Sequence, residues 1–257
     1  MGFDLKIRLR SYFDKSQPLL GAFKYIWTTY RSNEQTPGPG PSIQRRAFAK
    51  WFTDVAPHFI AFEETTSLPS LAAAAHGTVL ELGPGAGNQL QRYNRDQITT
   101  IYGVEPNAAF REPLRAKIEQ LHLDAIYVPV FCDVMDTAAL ERQGIVDGSI
   151  DCVTSFGVLC SVDRPEEVVA RLWRLLRPGG ELVVWEHGAS EDWVTWGVQK
   201  VWNLLWPVAL DGCRLDRKME EILLTSAEWE VLDLRREGEK WSMMPRVSGV
   251  LRKVQRD

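Results

Sequence analysis

The sequence predicts an α/β fold: a seven-stranded, mostly parallel sheet with helices on both faces, plus an N-terminal helical extension that acts as a lid. From His76 onward, short apolar runs alternate with amphipathic stretches, and a glycine-rich loop follows the first of these runs. Strands that alternate with helices build a parallel sheet. The runs are almost continuously apolar, which is typical of strands buried on both faces.

Seven segments are predicted as strands from these apolar runs. They are residues 78–82, 99–104, 125–131, 150–156, 181–186, 229–234 and 246–253. Helices are predicted between them wherever apolar side chains recur at three- and four-residue spacing. These are residues 90–93, 108–121, 137–143, 165–176 and 218–225, together with 193–210, which is predicted as one helix or a pair of helices.

Two regions are predicted along the chain. Residues 1–75 form the helical extension, in which the proline- and glycine-rich segment 37–41 breaks the helices and residues 43–62 form one of them. Pro57 is expected to kink or split that helix, because proline lacks the amide hydrogen that the helix needs. Residues 76–257 form the ligand-binding domain, with a Trp-rich helical insertion at 193–225.

Composition excludes some classes of function. The net charge of −4 and the pI of about 5.7 give no basic surplus, so no nucleic-acid partner is predicted. The four cysteines form no C-x-x-C pair and few histidines accompany them, so no metal site is predicted. They are interpreted as reduced thiols, which favours a cytoplasmic location.

Neither a signal peptide nor a membrane-spanning segment is predicted. The apolar run 19–28 is interrupted by Lys24 and is shorter than the ~20 residues that a spanning helix needs. Four tryptophans in the insertion, at helical spacing, leave three interpretations open: core or lid packing, an apolar roof over a pocket, or peripheral contact with a membrane surface. They are Trp193, Trp196, Trp202 and Trp206.

The glycine loop is the strongest functional motif. Glu81 stands two residues before Gly83-Pro84-Gly85-Ala86-Gly87, and Asn88 follows. A dinucleotide site has the spacing G-x-G-x-x-G, which would require glycine at position 88. The spacing G-x-G-x-G with a preceding acid instead indicates S-adenosylmethionine (SAM), and Glu81 is placed to meet its ammonium group. The alternative is a tight strand–helix turn without a ligand.

The next strand ends extend this cofactor site, because ligands bind at the carboxyl ends of strands in open α/β sheets. Glu105 is expected to accept hydrogen bonds from the two ribose hydroxyls, and Asp133 from the adenine amino group, unless Asp133 is only a helix N-cap. The predicted cofactor-binding residues are Glu81, Gly83, Pro84, Gly85, Gly87, Asn88, Glu105, Pro106, Asn107, Cys132, Asp133, Val134, Ser155 and Phe156.

These motifs resemble the Rossmann-like methyltransferase superfamily, which residues 175–182 also match as the turn before its fifth strand. Residues 158–162, 185–187 and 210–215 are similar to a methyltransferase-like group that includes membrane-associated thiol methyltransferases of animals. The resemblance implies a Rossmann-like sheet, SAM as cofactor and a small-molecule acceptor. The sequence departs from the group at Pro84, where cysteine is common, and lacks a strong N-terminal hydrophobic anchor. The helical extension also resembles that of secondary-metabolism methyltransferases.

Two residues are candidates for catalysis, since a hydroxyl or amine acceptor needs a general base. His187 follows the fifth strand; its alternative role is a hydrogen bond to backbone near the strand end. Asp211 is the second candidate, and its alternative is a turn with Gly212 in the left-handed region. Cys160 is interpreted as a packing thiol.

The predicted function is methyl transfer from SAM to an O or S atom of a small, fairly apolar acceptor, by a monomer or a homodimer. Two alternatives are kept. One is a SAM-binding enzyme that catalyses an elimination or pericyclic step without methylation. The other is a partner subunit that keeps the fold without catalysis, against which the carboxylates Glu81, Glu105 and Asp133 speak.

Overall fold

The protein is described here by a computed structural model, which covers residues 5–14, 16–32 and 40–255. Of the predicted break at 37–41, positions 37–39 lie outside the described residues. Residues 40–42 are neither helix nor strand, and Ser42 caps the helix that follows by accepting from the Arg45 amide. The first turn of that helix leaves several amide hydrogens without a partner inside the helix, and Ser42 satisfies one of them.

The sheet has the predicted seven strands. They are β1 (Gly77–Leu82), β2 (Ile98–Val104), β3 (Tyr127–Val130), β4 (Ile150–Phe156), β5 (Leu176–His187), β6 (Trp229–Glu237) and β7 (Arg246–Lys253). Their spatial order is β3-β2-β1-β4-β5-β7-β6. β1 to β5 are parallel where they pair, and β7 is antiparallel to both β5 and β6. The prediction of a seven-stranded, mostly parallel sheet is confirmed.

The helices lie between and before the strands. They are α1 (Leu5–Asp14), α2 (Ser16–Arg31), α3 (Ile43–Glu63), α4 (Leu68–Ala73), α5 (Arg111–Gln120), α6 (Thr137–Glu141), α7 (Pro165–Leu175), α8 (Trp193–Trp202), α9 (Trp206–Ala209) and α10 (Met219–Thr225). α3 continues through Pro57, so the proline does not split this helix. The segment 193–210, predicted as one helix or a pair, is a pair of helices, α8 and α9, with Pro207 in the first turn of α9.

Helices cover both faces of the sheet because its strands are apolar on both sides. In β1, Leu80 and Leu82 pack into one core with α7, whereas Val79 packs into a second core with α4 and α5. Successive side chains of a strand point to opposite faces, which explains this division. All three side chains are less than 5% exposed.

β1 occupies the position that decides where a ligand can bind. It lies between β2 and β4, so the crossovers leave it in opposite directions. A crevice opens at the carboxyl ends of strands on either side of such a point. Across the residues that the structure describes, no helix combines the length and the apolar character needed to cross a bilayer.

Candidate functional site

The glycine loop turns sharply at the carboxyl end of β1. Gly83, Gly85 and Gly87 have φ values of 58°, 55° and 79°, a region that disfavours side chains. A Cβ atom added at Gly83 would lie 2.7 Å from Val158, so glycine is also required by the close approach of the loop after β4. The three glycines therefore let the backbone turn tightly beside the crevice, as the motif predicts.

Glu105 ties this loop to the end of β2. Its carboxylate accepts from the backbone amides of Gly85 at 2.9 Å and Asn107 at 2.8 Å. Burial raises the pKa of Glu105 to about 7, although these two hydrogen bonds oppose the rise. The carboxyl group is 95% buried yet borders the cavity, so its free lone pairs face the space where a ligand would bind.

Glu81 lies beside the loop near the end of β1. It accepts a hydrogen bond of 2.7 Å from the Tyr127 hydroxyl on β3. Burial is the main cause that raises the pKa of Glu81 to about 7, and nearby Glu105 raises it further. A cationic group bound next to Glu81 would favour its ionised form, because an opposite charge lowers the pKa of a carboxyl group.

These strand ends open into a cavity of about 500 Å³. Most of the sequence-predicted site residues line it. They are Glu81, Gly83, Pro84, Gly85, Asn88, Glu105, Pro106, Asp133, Val134, Phe156 and Asp211. Asn88 stands out among them because its buried Nδ2 has no hydrogen-bond partner. An unsatisfied buried donor is costly, so a ligand acceptor at this position would relieve that cost.

The remaining predicted residues lie around the cavity and not on its lining. Gly87 and Cys132 flank lining residues in the chain. Ser155 donates to Glu186 at 2.7 Å, and the Asn107 amide supports Glu105. His187, 93% buried, lies behind the wall. Asp133 borders the cavity and also accepts from the Met135 amide at 2.8 Å. The N-cap of α6 is Asp136, so the helix-cap alternative for Asp133 was wrong.

Asp211 lies on the wall of the cavity beside the end of β2. It has φ 44° and precedes Gly212 at φ 87°, so the turn considered from the sequence is present. Its carboxylate accepts from Asn107 Nδ2 at 3.2 Å and lies 3.7 Å from the Arg45 guanidinium. Burial raises the pKa of Asp211, while Arg45 and Asn107 act in the opposite direction.

α3 supplies an aromatic surface to the same wall. Phe48 and Phe52 line the cavity, with their ring centroids 5.6 Å apart, and both pack edge-on against Phe110. The sequence predicted the extension as a lid, but did not indicate Arg45 or Phe48 as lining residues. Arg45 was missed because a charged residue in the first turn of a helix usually belongs to a solvated face.

Glu186 was also missed, although it organises the loop after β4. It is fully buried, and its Oε1 accepts from Ser155 Oγ and from the amides of Val158 and Leu159 at 2.7, 2.9 and 3.1 Å. Burial raises its pKa, and these hydrogen bonds oppose the rise. An acid near the end of an otherwise apolar strand was the available signal, because acids are almost never fully buried unless they are paired.

His187 belongs to a second group behind the cavity wall. Its Nε2 lies 3.2 Å from Cys213 Sγ, and Cys160 completes a buried group whose potential ligand atoms are all within 4.8 Å of one another. The hydrogen bond to Cys213 and burial raise the pKa of Cys160, whereas hydrogen bonds from Cys160 and Trp206 lower the pKa of Cys213. The sequence predicted no metal ligands here, because the three residues are far apart along the chain.

The tryptophans of the insertion divide between core and surface. Trp206 is buried and packs edge-on against Trp202, whereas Trp193 is 81% exposed and Trp196 is 42% exposed. In the described part of the chain, the residues that line the cavity include none of the four. The roof interpretation therefore has no support from this arrangement, and the packing interpretation holds for Trp206.

Comparison with known proteins bears on the same region. Residues 80–184 match the family described as "Methyltransferase domain". Human thiol S-methyltransferase TMT1B is 31% identical over 176 residues, which cover 67% of this chain and 68% of that protein. Human thiol S-methyltransferase TMT1A is 33% identical over 144 residues, which cover 55% of each chain. The chain thus spans between about half and two thirds of the length of these relatives.

Solved structures agree on the fold. An O-methyltransferase family protein from Burkholderia thailandensis superimposes with a TM-score of 0.61 at 16% identity, covering 93% of this chain and 72% of that one. Geranyl diphosphate methyltransferase in complex with SAM superimposes with a TM-score of 0.55 at 14% identity, covering 85% and 93%. This chain belongs to the class I SAM-dependent methyltransferase family that includes the thiol S-methyltransferases TMT1A and TMT1B, and its cofactor is SAM.

Proposed function

We propose that this enzyme transfers the methyl group of SAM to the sulfur atom of a small, fairly apolar thiol. The observation that carries the proposal is the make-up of the cavity: the acids at the strand ends share one space with the aromatic surface of α3. One side suits a charged nucleoside cofactor, and the other suits an apolar acceptor. The identity of 31–34% with thiol S-methyltransferases supports sulfur as the accepting atom.

SAM would lie along the ends of β1, β2 and β3. Glu105 would accept from the ribose hydroxyls through lone pairs that Gly85 and Asn107 leave free. Glu81 would face the ammonium group of the methionine end, and the unpartnered Asn88 Nδ2 would donate to its carboxylate. Asp133, exposed at the end of this row, would accept from the adenine amino group.

The acceptor would lie between the sulfonium and the wall formed by Phe48, Phe52 and Asp211. Its sulfur attacks the methyl carbon in line with the breaking carbon–sulfur bond of SAM. The products are a thioether and S-adenosylhomocysteine, and the thiol proton passes to water or to Asp211. A thiol with a pKa near 8.5 is already partly ionised at neutral pH. Burial raises the pKa of Asp211, which makes its carboxylate a stronger base than that of an exposed aspartate.

Two further predictions concern the surroundings of the site. We propose that α3, within the extension 1–75, acts as a lid over the acceptor, since its aromatic surface borders the cavity. Peripheral contact with a membrane also stays a proposal. It is supported by the exposure of Trp193, Val201, Leu204 and Leu205 in and after α8. His187 stays a proposed catalytic residue, and its buried position favours a role through Cys213.

The experiment compares matched acceptors in which only the reacting atom differs. S-adenosylhomocysteine release is measured with an apolar alkyl thiol, the alcohol and the amine of the same carbon skeleton. We expect kcat/KM for the thiol to exceed that for the alcohol by about 100-fold or more, about 2.7 kcal/mol in transition-state stabilisation. Equal or faster turnover of the alcohol would overturn sulfur transfer.

A matched pair of variants tests the acceptor wall. Asp211→Asn keeps the shape of the side chain and removes its charge, and we expect about a tenfold lower kcat/KM for the thiol near neutral pH. The deficit should shrink as the pH rises toward 9 and the thiol ionises without help. Asp124→Asn, at an exposed position away from the cavity, is the control and should leave both values unchanged.

A further inference from the structure

Three residues from separate segments converge directly behind the cavity wall. Cys160 lies in the loop after β4, His187 ends β5, and Cys213 lies in the turn after α9. Cys160 is 2% exposed, His187 is 7% exposed and Cys213 is 8% exposed. One potential ligand atom from each lies within 4.8 Å of the other two, and His187 Nε2 is 3.2 Å from Cys213 Sγ.

Hydrogen bonds alone leave this group incomplete. The ring of His187 is buried, and its Nδ1 has no hydrogen-bond partner. Cys160 Sγ contacts Gly157 O at 3.5 Å and Ser161 Oγ at 3.6 Å, besides the Cys213 thiol. His187 Nε2, the ring nitrogen that faces Cys213, and the two sulfurs meet in one buried space, and they are the donor types of a metal site.

The donor set defines what that partner is. Two cysteine sulfurs and one imidazole nitrogen are soft and borderline ligands, which select Zn²⁺ over the hard cations Mg²⁺ and Ca²⁺. Zinc binds sulfur at about 2.3 Å and nitrogen at about 2.0–2.1 Å, so tetrahedral ligands lie about 3.6–3.8 Å apart. The 3.2 Å between His187 Nε2 and Cys213 Sγ and the 4.8 Å limit for the whole group bracket that range.

We propose that Cys160, His187 and Cys213 form a buried three-ligand site for Zn²⁺. Binding deprotonates the thiols and releases those protons to solvent, so the two thiolate charges balance the charge of the ion. With three protein ligands, the ion completes its tetrahedron with a small ligand such as water. The Trp206 indole, which donates to Cys213 Sγ at 3.2 Å, supports the thiolate from outside the site.

The site would fix two walls of the methyl-transfer cavity relative to each other. Ser161, next to Cys160, and Gly212, next to Cys213, both line the cavity. These walls already touch, because a Cβ atom on Gly212 would lie 2.8 Å from the Ser161 carbonyl oxygen. The Arg214 amide also donates to the Cys160 carbonyl at 2.9 Å. A metal bridging these segments and the end of β5 would hold Asp211 in its position at the cavity.

The test measures metal content and coordination in the full chain, without reference to activity. The purified protein is incubated with Zn²⁺, passed through a desalting column with a weak chelator, and analysed by mass spectrometry for metal. We expect about one zinc per chain in the wild type and less than about a tenth of that in Cys160→Ser and Cys213→Ser. Cys152→Ala removes a buried thiol outside the group and should retain the wild-type content.

Cobalt substitution gives a second readout, which reports the ligand atoms and the geometry of the site in the folded wild-type protein. Co²⁺ in the wild-type protein should show thiolate-to-cobalt absorption in the near ultraviolet and the visible bands of a tetrahedral ion, and both should be absent from Cys213→Ser. Zinc retained equally in both serine variants would overturn the proposal. So would a folded wild-type protein that binds no zinc or gives no thiolate band with cobalt.

Discussion

The two sides of the cavity are built in different ways. The cofactor side comes from the ends of neighbouring strands, where Glu81, Glu105 and Asp133 follow one another along a single sheet edge. The acceptor side is assembled from the helix α3, the loop after β4 and the Asp211–Gly212 turn, which are far apart in the chain. The first side depends on local sequence and sheet register, whereas the second depends on how the extension and the insertion pack.

This difference shows why the cofactor can be assigned while the acceptor is a proposal. A strand end offers backbone amides and a fixed register, so a single residue type at the right spacing predicts its ligand. The acceptor wall is a surface of Phe48, Phe52, Arg45 and Asp211, whose chemistry appears only when the segments meet. If the two sides are independent, a substitution on one side should change the affinity for its own ligand and leave the affinity for the other ligand unchanged.

The largest effect is expected on the cofactor side. Glu105→Ala removes a carboxylate that holds the amides of Gly85 and Asn107, and should weaken SAM binding at least tenfold, about 1.4 kcal/mol. Calorimetry with SAM measures the change. Glu119→Ala, an exposed acid on α5, should bind as the wild type does. Unchanged affinity in Glu105→Ala would show that the ribose assignment is wrong.

A pH series sharpens the same assignment. Burial raises the pKa of Glu105 from 4.5 to about 7. The stability that this carboxyl group contributes to the free protein is therefore fully present below pH 4.5, its pKa in the unfolded chain, and is lost as the pH rises through 7. Burial also raises the pKa of Glu81 to about 7, and SAM needs both carboxylates ionised, so its affinity should fall by at least about tenfold from about pH 7 to about pH 5.5. Binding that is flat over this window would mean that both acids are already ionised in the free protein.

The next effect is expected on the acceptor side alone. Phe52→Leu reduces the aromatic surface of α3 and should raise the KM for an apolar thiol about fivefold, about 1 kcal/mol, through lost apolar contact. The affinity for SAM should change less than twofold, if the two sides are separate. Phe62→Leu lies on the same helix at a half-exposed position and serves as the control. Equal losses for SAM and thiol would contradict the separation.

The smallest effect concerns the surface beside both sides. Trp193 is 81% exposed, and Trp193→Ala removes an aromatic side chain that favours a membrane interface. Cosedimentation with phosphatidylcholine vesicles should fall about threefold, with turnover of a water-soluble thiol unchanged. Trp173→Ala, on α7, provides a comparison at another tryptophan. If Trp193→Ala sediments with the vesicles as the wild type does, Trp193 makes no membrane contact, and its exposure needs another explanation.

Local sequence determined the sheet and the cofactor side. Periodicity, the glycine spacing and the acids at strand ends require only neighbours in the chain and the rule that parallel strands end at one edge. The antiparallel β7 between β5 and β6 and the division into α8 and α9 follow from packing, which periodicity does not report.

Tertiary structure decided everything that joins distant segments. Arg45 meets Asp211, Glu186 supports the loop after β4, and Cys160 meets His187 and Cys213, each across long stretches of chain. Sequence indicated His187 as a candidate base after the fifth strand, and the fold buries it against a thiol behind the wall. The physical reason is that burial and charge pairing depend on three-dimensional proximity, whereas turns and strand ends are encoded residue by residue.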